Sequence, residues 1–147
     1  MASKRGKEVV PEQEAFISIL RTAELLDSEF SRLLKPKKLT NAAYNVLRIL
    51  RGAGKEGLAC GDISDRMINR DPDITRLVDR LEKRGLAARE RQTDDRRVVK
   101  VVITPAGLAL LSELDEPVIE THKQQLKHVS KKRLAELMKL LAVVRNR

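Results

Sequence analysis

The sequence predicts a mostly α fold with one small β-hairpin (α+β), and three observations support this. Apolar residues recur at spacings of three, four and seven over most of the chain, as on one face of a helix. This period stops after Gly85, where a polar segment separates two short runs, and residues 98–103 are rich in β-branched side chains. The helical period returns after Pro105. Because no repeat or long linker interrupts residues 1–147, we expect a single unit.

The first predicted helix follows Pro11, since proline is tolerated in the first turn of a helix. It is amphipathic over about six turns and ends near Pro36. Its single apolar stripe consists of Phe16, Ile19, Leu20, Ala23, Leu26, Phe30, Leu33 and Leu34.

The next two predicted helices are shorter. Thr40 is the expected N-cap of the second helix, and Gly52 and Gly54 mark its end. A third helix is expected at about residues 61–68. The apolar faces comprise Tyr44, Leu47, Ile49 and Leu50 in the second helix, and Ile63, Met67 and Ile68 in the third.

The fourth helix has the clearest pattern and is predicted over residues 71–85. Asp71 or Pro72 opens this helix, and Gly85 closes it. Residues 92–95 then form the polar tip of a hairpin. The apolar residues of the helix, at positions i, i+3, i+4 and i+7, are Ile74, Leu77, Val78 and Leu81.

Two further helices complete the chain. Thr104 and Pro105 form an N-cap and first-turn pair for the fifth helix, which Pro117 either kinks or splits. Ser130 caps the sixth helix. The apolar stripes contain Leu108, Leu111 and Leu114 in the fifth helix, and Leu134, Leu137, Met138, Leu141 and Val144 in the sixth.

This order of elements is typical of a winged helix-turn-helix, in which the fourth helix enters the major groove of DNA. The candidate contacts on that helix are Asp73, Thr75, Arg76 and Arg80. We expect Arg76 to contact guanine and Arg80 to contact phosphate, because arginine binds both and Arg80 lies one turn further on.

The hairpin tip supplies the other candidates, Asp95, Arg96 and Arg97. Arginines at such a tip suit a narrow minor groove, and Asp95 is placed to hold the guanidinium of Arg97. Exposed charges on one helix, or two arginines in one turn, are commonly only solvated surface. The combination in this order and spacing is far more specific than either part.

Residues 77–107 closely resemble the core signature of the MarR family of bacterial transcriptional regulators. In that family a leucine-rich helix ends in a basic residue and Gly-Leu, and an arginine, an Asp-Arg-Arg tip and a Thr-x-x-Gly follow. The matching residues here are Leu81, Gly85, Leu86, Arg89, Asp95, Arg96, Arg97, Thr104 and Gly107.

The resemblance implies a homodimeric regulator, most often a repressor, that binds a pseudo-palindromic operator in double-stranded DNA. Residues 8–36 and 105–147 would supply the dimerisation helices, and residues 37–104 the winged-helix DNA-binding domain. Arg97 would enter the minor groove with Asp95 as its partner. Such proteins are either constitutive or released by a small, often aromatic or anionic, effector. The low aromatic content, 2%, offers such an effector few stacking partners here.

Two departures from the family pattern concern the DNA-reading turn and a cysteine. Residues 69–73 place a proline and two acids where many members carry small hydroxyl residues, which affects the assignments of Asp73 and Thr75. Cys60 stands near the cap of the third helix. We favour a structural role for it over redox sensing, because no second cysteine is present to resolve a sulfenic acid.

No metal site, cofactor or catalytic activity is predicted. His122 and His128 are six residues apart and do not share a helical face, although Glu116 and Glu120 are near enough to join His122 as zinc ligands. No Ser-His-Asp set, phosphate-binding glycine loop or HExxH motif is present in the sequence.

Composition permits DNA binding without proving it. The net charge of +9 is spread evenly, and the few aromatic residues argue against a binder of single strands. We expect a cytoplasmic protein without a membrane partner, because there is one cysteine and no apolar run of bilayer length. Two alternatives stay open: a winged-helix protein-interaction module and a non-specific DNA-binding architectural protein.

Overall fold

The computed structural model describes residues 8–69, 73–92, 94, 95 and 97–147. The mostly α prediction with one small hairpin is confirmed. Two short 3-10 turns, Lys35–Lys37 and Gly54–Glu56, follow the first two helices. The elements in order are α1 (Pro11–Leu34), α2 (Asn41–Ala53), α3 (Cys60–Arg66), α4 (Ile74–Lys83), β1 (Ala87–Arg91), β2 (Val99–Ile103), α5 (Pro105–Gln125) and α6 (Lys131–Arg145).

Three predicted N-caps are confirmed at the starts of α2, α5 and α6. The hydroxyl oxygens of Thr40 and Thr104 accept hydrogen bonds from the third amide N–H beyond them, each at 3.1 Å. Ser130 does the same at 3.3 Å. Each cap satisfies a donor that the first turn of a helix leaves unpaired, so local sequence fixes where these helices begin.

One core joins α2, α3, α4 and β2 to the ends of α1 and α5 that face them. The inner faces of these elements are buried, fully or in part, because their apolar residues follow the helical or strand period. The largest fully buried side chains are Leu34, Leu47, Leu50, Ile63, Leu81, Leu111, Val46, Val78 and Val101.

The hairpin pairs β1 with β2 in antiparallel register, with Ala87 opposite Ile103. On the other edge of β2, the amide of Leu58 donates to the carbonyl of Val101 at 3.0 Å, and the reverse bond measures 2.7 Å. Gly57 precedes Leu58 at φ +67°, and a Cβ there would collide with the Val101 carbonyl. The segment before α3 therefore docks the hairpin onto the helices, a contact that periodicity did not predict.

Several predicted boundaries need correction. α3 ends at Arg66, and Ile68, predicted to face the core, is 85% exposed. Asp71 and Pro72 lie outside the described residues, and α4 begins at Ile74 with Asp73 as its N-cap. Pro117 does not split α5, which runs continuously through it. No helix among the described residues combines the length and apolarity that a bilayer crossing requires.

Candidate nucleic-acid interface

The buried face of α4 determines which of its side chains point outward. Its four apolar residues, predicted from their spacing, are all buried. Thr75, Arg76 and Arg80 are exposed. An apolar stripe on one side of a ten-residue helix thus presents a polar, net basic surface on the other.

Asp73 organises the first turn of α4. One of its carboxylate oxygens accepts a hydrogen bond from the Arg76 amide at 3.2 Å, and the other lies 3.3 Å from Arg76 Nε. A carboxylate is favourable here because the helix dipole is positive at this end. Asp73, predicted as a DNA contact, is therefore the cap of α4 and a partner of Arg76, and a direct contact with DNA stays a prediction.

Arg89 of β1 fastens the wing, which is the hairpin of β1 and β2, to α4. Its guanidinium lies 2.7 Å from an oxygen of Asp79 and 3.2 Å from one of Glu82, and it donates to the Thr75 carbonyl at 3.4 Å. The Arg89 amide also donates to Glu82, at 2.8 Å. Because Arg89 contacts both the start and the middle of α4, the helix and the hairpin are held at one angle.

These contacts also shift the pKa of Arg89. Partial burial lowers its pKa, but the hydrogen bond and charge of Asp79, together with Glu82, outweigh burial and raise the pKa above its ordinary value. Like any arginine, Arg89 is charged at every physiological pH, so these contacts fix its position rather than its protonation state. The sequence identified it only as a family position; its two acidic partners are ten and seven residues earlier in the chain, on the neighbouring helix.

Arg84 fixes the other end of α4. Its guanidinium donates to the carbonyls of Lys37 and Lys38 at 2.9 and 2.8 Å. Lys38 adopts a left-handed conformation, with φ 53°, between the 3-10 turn and α2. The end of α4 is thus tied to the segment that leads into α2, so α4 is anchored on both sides of its exposed face.

Asp95 shapes the wing tip. Its carboxylate accepts a hydrogen bond from the backbone amide of Arg97 at 3.0 Å, and its carbonyl accepts one from Val98 at 3.1 Å. The sequence predicted that Asp95 would hold the guanidinium of Arg97; the contact is with the Arg97 backbone instead, and the side chain of Arg97 is exposed. Arg96, the other predicted tip arginine, lies outside the described residues.

The Thr-x-x-Gly motif closes the base of the wing. The Thr104 hydroxyl donates to the Gly85 carbonyl at 2.6 Å while it caps α5. A Cβ on Gly107 would collide with the Leu86 carbonyl and approach Ile103 to 2.7 Å. Only glycine therefore allows α5 to pass so close to the turn that ends α4.

A cavity of about 1290 Å³ lies between α1, α2, the segment after α3 and the end of α5. Phe30 packs edge-on against Tyr44, with ring centroids 5.4 Å apart, and stacks on His122 at 5.2 Å and 11°. Lys35, Lys38, Arg48 and Asp27 also line it. Two of the chain's three Phe and Tyr residues therefore line this cavity, although the aromatic content of the whole chain is low.

Neither the cysteine nor the histidines form a recognisable reactive site. Cys60 is the first residue of α3, half-buried against the core. His122 is engaged by Phe30 and by Gln125, whose Oε1 lies 3.1 Å from its Nδ1. In the described ranges, no group of three or more His, Cys, Asp and Glu side chains is arranged to hold a metal ion.

Comparisons with known proteins agree with this geometry. The MarR family model matches residues 39–99. A MarR transcription factor from Planctomyces limnophilus is 40% identical, with 92% of this chain and 98% of that chain covered and a TM-score of 0.71. The regulator FarR of Neisseria gonorrhoeae is 27% identical over 126 residues, covering 86% of this chain and 85% of FarR.

A mutant of MarR from Escherichia coli, solved in complex with operator DNA, is 25% identical with a TM-score of 0.78. The match covers 86% of this chain and 89% of that one. The winged helix-turn-helix prediction is thus confirmed together with the family resemblance. Because the identity to the Planctomyces limnophilus protein is 40% over nearly the whole of both chains, this protein belongs to the MarR family of transcriptional regulators.

Proposed function

We propose that the protein is a homodimeric repressor that binds a pseudo-palindromic operator in double-stranded DNA. The observation that carries this proposal is the Arg89 contact, which joins the exposed face of α4 and the wing in one unit. A helix fits the major groove, and a hairpin tip fits the flanking minor groove. Both elements lie in residues 37–104, which we assign as the DNA-binding domain.

Each exposed side chain has a distinct proposed role. Arg76, in the first turn, contacts guanine, and Asp73 holds it in place when DNA is absent. Thr75 contacts a thymine methyl group or a phosphate, and Arg80 a phosphate. Arg97 enters the minor groove from a tip that Asp95 shapes, and we extend this role to Arg96 from its position in the sequence.

Dimerisation is supported by apolar surface that one protomer leaves uncovered. None of the residues of α6 is buried, and Leu140 is 65% exposed. Phe16 of α1 is 61% exposed although it belongs to the apolar stripe. Contiguous apolar faces of this kind mark protein interfaces. We therefore assign residues 8–36 and 105–147 to a two-fold interface, which sets the spacing of the two copies of α4.

We assign the cavity beside Phe30 to a small effector, aromatic or anionic, that releases the protein from DNA. Stacked rings and the cations Lys35, Lys38 and Arg48 suit such a ligand. We also propose a cytoplasmic location, because a single cysteine suits a reducing compartment. We propose no catalytic role, because the described polar groups serve to cap, anchor and bind.

Selection of bound sequences from a random pool of duplexes tests this proposal. We expect two half-sites related by a two-fold axis and centred about one DNA turn apart. Enrichment of no sequence would support the non-specific alternative and contradict the proposal. If no duplex bound at all, the result would also contradict the proposal and would support the protein-interaction module instead.

The same assay assigns the roles of the arginines. Arg97→Ala should weaken specific binding several-fold, because minor-groove arginines respond to local shape. Arg76→Ala should relax base preference by about 1–3 kcal/mol. Lys127→Ala is the matched control, because it removes one charge from the turn between α5 and α6. Equal losses in all three variants would mean that only net charge matters.

A further inference from the structure

The positive charge of the chain is concentrated in residues 121–147. This stretch contains eight Lys and Arg residues and one Glu, so it carries seven of the nine net positive charges. Residues 105–147 taken as one segment conceal this, because four of the five acids in that segment precede residue 121. The even spread seen over longer segments is therefore an average of an acidic stretch and a basic one.

Four of these cations lie where α5 turns into α6. Lys127 belongs to the connecting turn, and Lys131, Lys132 and Arg133 form the start of α6. All four residues are exposed, and among the residues that the structure describes none of their side chains has an ion-pair partner. We call these four residues the basic corner.

Three cations of the basic corner are unfavourably placed for folding. They occupy the first turn of α6, which contains no acid, and the helix dipole is positive at that end. Arg89, by contrast, lies between the carboxylates of Asp79 and Glu82. Because repulsion within the basic corner costs stability and no acid of the protomer offsets it, we expect its cations to serve a negatively charged partner.

The basic corner is remote from the surface assigned to the operator. α5 begins beside the base of the wing, where Gly107 passes close to Leu86. Its 21 residues then extend about 30 Å, at 1.5 Å for each residue of a helix. α2 packs against both α4 and α5 and so stands between them. We therefore expect the basic corner to remain accessible when α4 and the wing hold DNA.

Duplex DNA fits the basic corner better than other polyanions do. It carries about one negative charge for each 1.7 Å of its axis, so four adjacent cations meet several phosphates at once. Unpaired strands fit less well, because the chain has three Phe and Tyr residues and no Trp on which bases could stack. A membrane also fits less well, because the apolar face of α6 that would enter the lipid is assigned to the dimer interface.

We propose that the basic corner binds the phosphate backbone of a second DNA duplex while α4 and the wing hold the operator. Its contacts are independent of base sequence, because they are made to phosphates. Cations are depleted from the cores of protein interfaces, so the basic corner lies at the edge of the dimer interface. A two-fold dimer presents the corner twice and links two segments of DNA. The linking rests on the proposed function, because it needs an operator bound at α4.

A capture assay with two duplexes tests this proposal. The selected operator is fixed to beads and saturated with the full-length protein, and a fluorescent duplex without half-sites is then added. In the triple variant Lys131→Gln, Lys132→Gln, Arg133→Gln, capture of the fluorescent duplex should fall about tenfold or more, because three phosphate contacts are lost. Affinity for the operator should change less than about twofold, because α4 and the wing are untouched.

The matched control removes the same charge from the rest of the C-terminal segment. Lys139→Gln, Arg145→Gln, Arg147→Gln takes three exposed cations from outside the basic corner and should leave capture close to that of the parent. Salt dependence gives a second measure, because each lost phosphate contact lowers the slope of log K against log salt by about 0.9. Light scattering checks that both triple variants have the oligomeric state of the parent.

Three outcomes would overturn the proposal. Capture that is unchanged in the basic-corner variant, or equally reduced in the control, would show that the corner is only a solvated surface. Weaker operator binding by the basic-corner variant would place the corner against the operator duplex itself. Capture of anionic lipid vesicles, but not of the duplex, would assign the corner to a membrane.

Failure of the proposed function would look different. If the random-pool selection yields no operator, binding of an unselected duplex is measured in an Arg76→Ala, Arg97→Ala background, which lacks two cations of α4 and the wing. The basic-corner substitutions should still weaken that binding about tenfold, because the corner contacts phosphates without the help of α4. Unchanged binding there would contradict the role given to the corner.

Discussion

The central region, residues 37–104, and the outer helices, α1 and α6, differ in what covers their apolar residues. In the central region Leu47, Ile63 and Leu81 are fully buried by the same chain. In α6 no residue is buried, and much of α1 is exposed as well. The orientation of α4 is thus set within one protomer, whereas the distance between two copies of α4 depends, in the proposed dimer, on helices that a single protomer leaves uncovered.

The largest expected effect is a difference between the two regions in how much a leucine-to-alanine substitution lowers the free energy of unfolding. Leu47→Ala should lower the free energy of unfolding by about 2–5 kcal/mol, because it opens a cavity in a closed core. Leu140→Ala should change it by only about 0.5 kcal/mol in dilute monomer. Unfolding in urea, followed by circular dichroism at low and high protein concentration, measures both.

Concentration dependence sharpens this prediction. The loss of unfolding free energy caused by Leu140→Ala should grow at high protein concentration, because dimerisation then adds to stability. The loss caused by Leu47→Ala should be present at every protein concentration. Equal, concentration-independent losses would show that α6 is covered within its own protomer.

The next effect concerns the angle between α4 and the wing. Arg89→Ala should weaken operator binding about tenfold, because it leaves Asp79 and Glu82 without the cation between them. Arg89→Lys is the matched control, because it keeps the charge but not the forked geometry of the guanidinium. Its operator affinity should lie between those of the parent and Arg89→Ala. Filter binding measures the operator affinities, and circular dichroism checks that each variant is folded. An alanine variant with the parental affinity would contradict the role given to Arg89.

The smallest effect concerns a contact between the central region and α5, the helix that precedes α6. Arg51 of α2 binds Asp115 of α5 through two hydrogen bonds, of 2.9 and 3.0 Å. The hydrogen bond from Arg51 lowers the pKa of Asp115; burial opposes this, and the charges of Arg51 and Arg48 add to it. A lowered folded-state pKa means that the pair stabilises the protein above the ordinary carboxyl range and that this stability is lost as pH falls through the lowered value.

Asp115→Asn should therefore reduce stability near pH 7 by about 0.2–1 kcal/mol, a small amount because the carboxylate is 45% exposed. The difference from the parent should begin to shrink as pH falls below about 4, the ordinary carboxyl range, and should vanish only below the lowered pKa of Asp115. Urea midpoints between pH 3 and pH 7 measure this. A difference that stayed constant down to pH 3 would rule out the ion pair as its cause.

Sequence predicted the features that depend on neighbouring residues. The N-caps Thr40, Thr104 and Ser130 precede their helices directly, and the apolar period of α4 was enough to orient it. Ile68 was wrongly assigned to the core because its spacing continues the period of α3, although the helix ends at Arg66. Hydrophobic spacing alone does not show where a short helix stops.

What sequence did not predict are contacts between distant segments. The pairing of Leu58 with Val101, the partners of Arg89 and the stack of Phe30 on His122 join residues that only the fold brings together. Asp73 was missed as a cap because the acidic and proline residues before it offered alternative starts for α4. Each of these contacts positions α4 or shapes the cavity, so tertiary structure contributes most to the functional site.

The measurement that tests the central claim most directly compares two duplexes, the selected operator and the same operator with one half-site scrambled. If each protomer orients its own α4 and the outer helices set the spacing, two protomers should bind the intact duplex. Scrambling one half-site should then weaken binding about tenfold or more. Equal affinity for the two duplexes, with one protomer bound to each, would contradict the account.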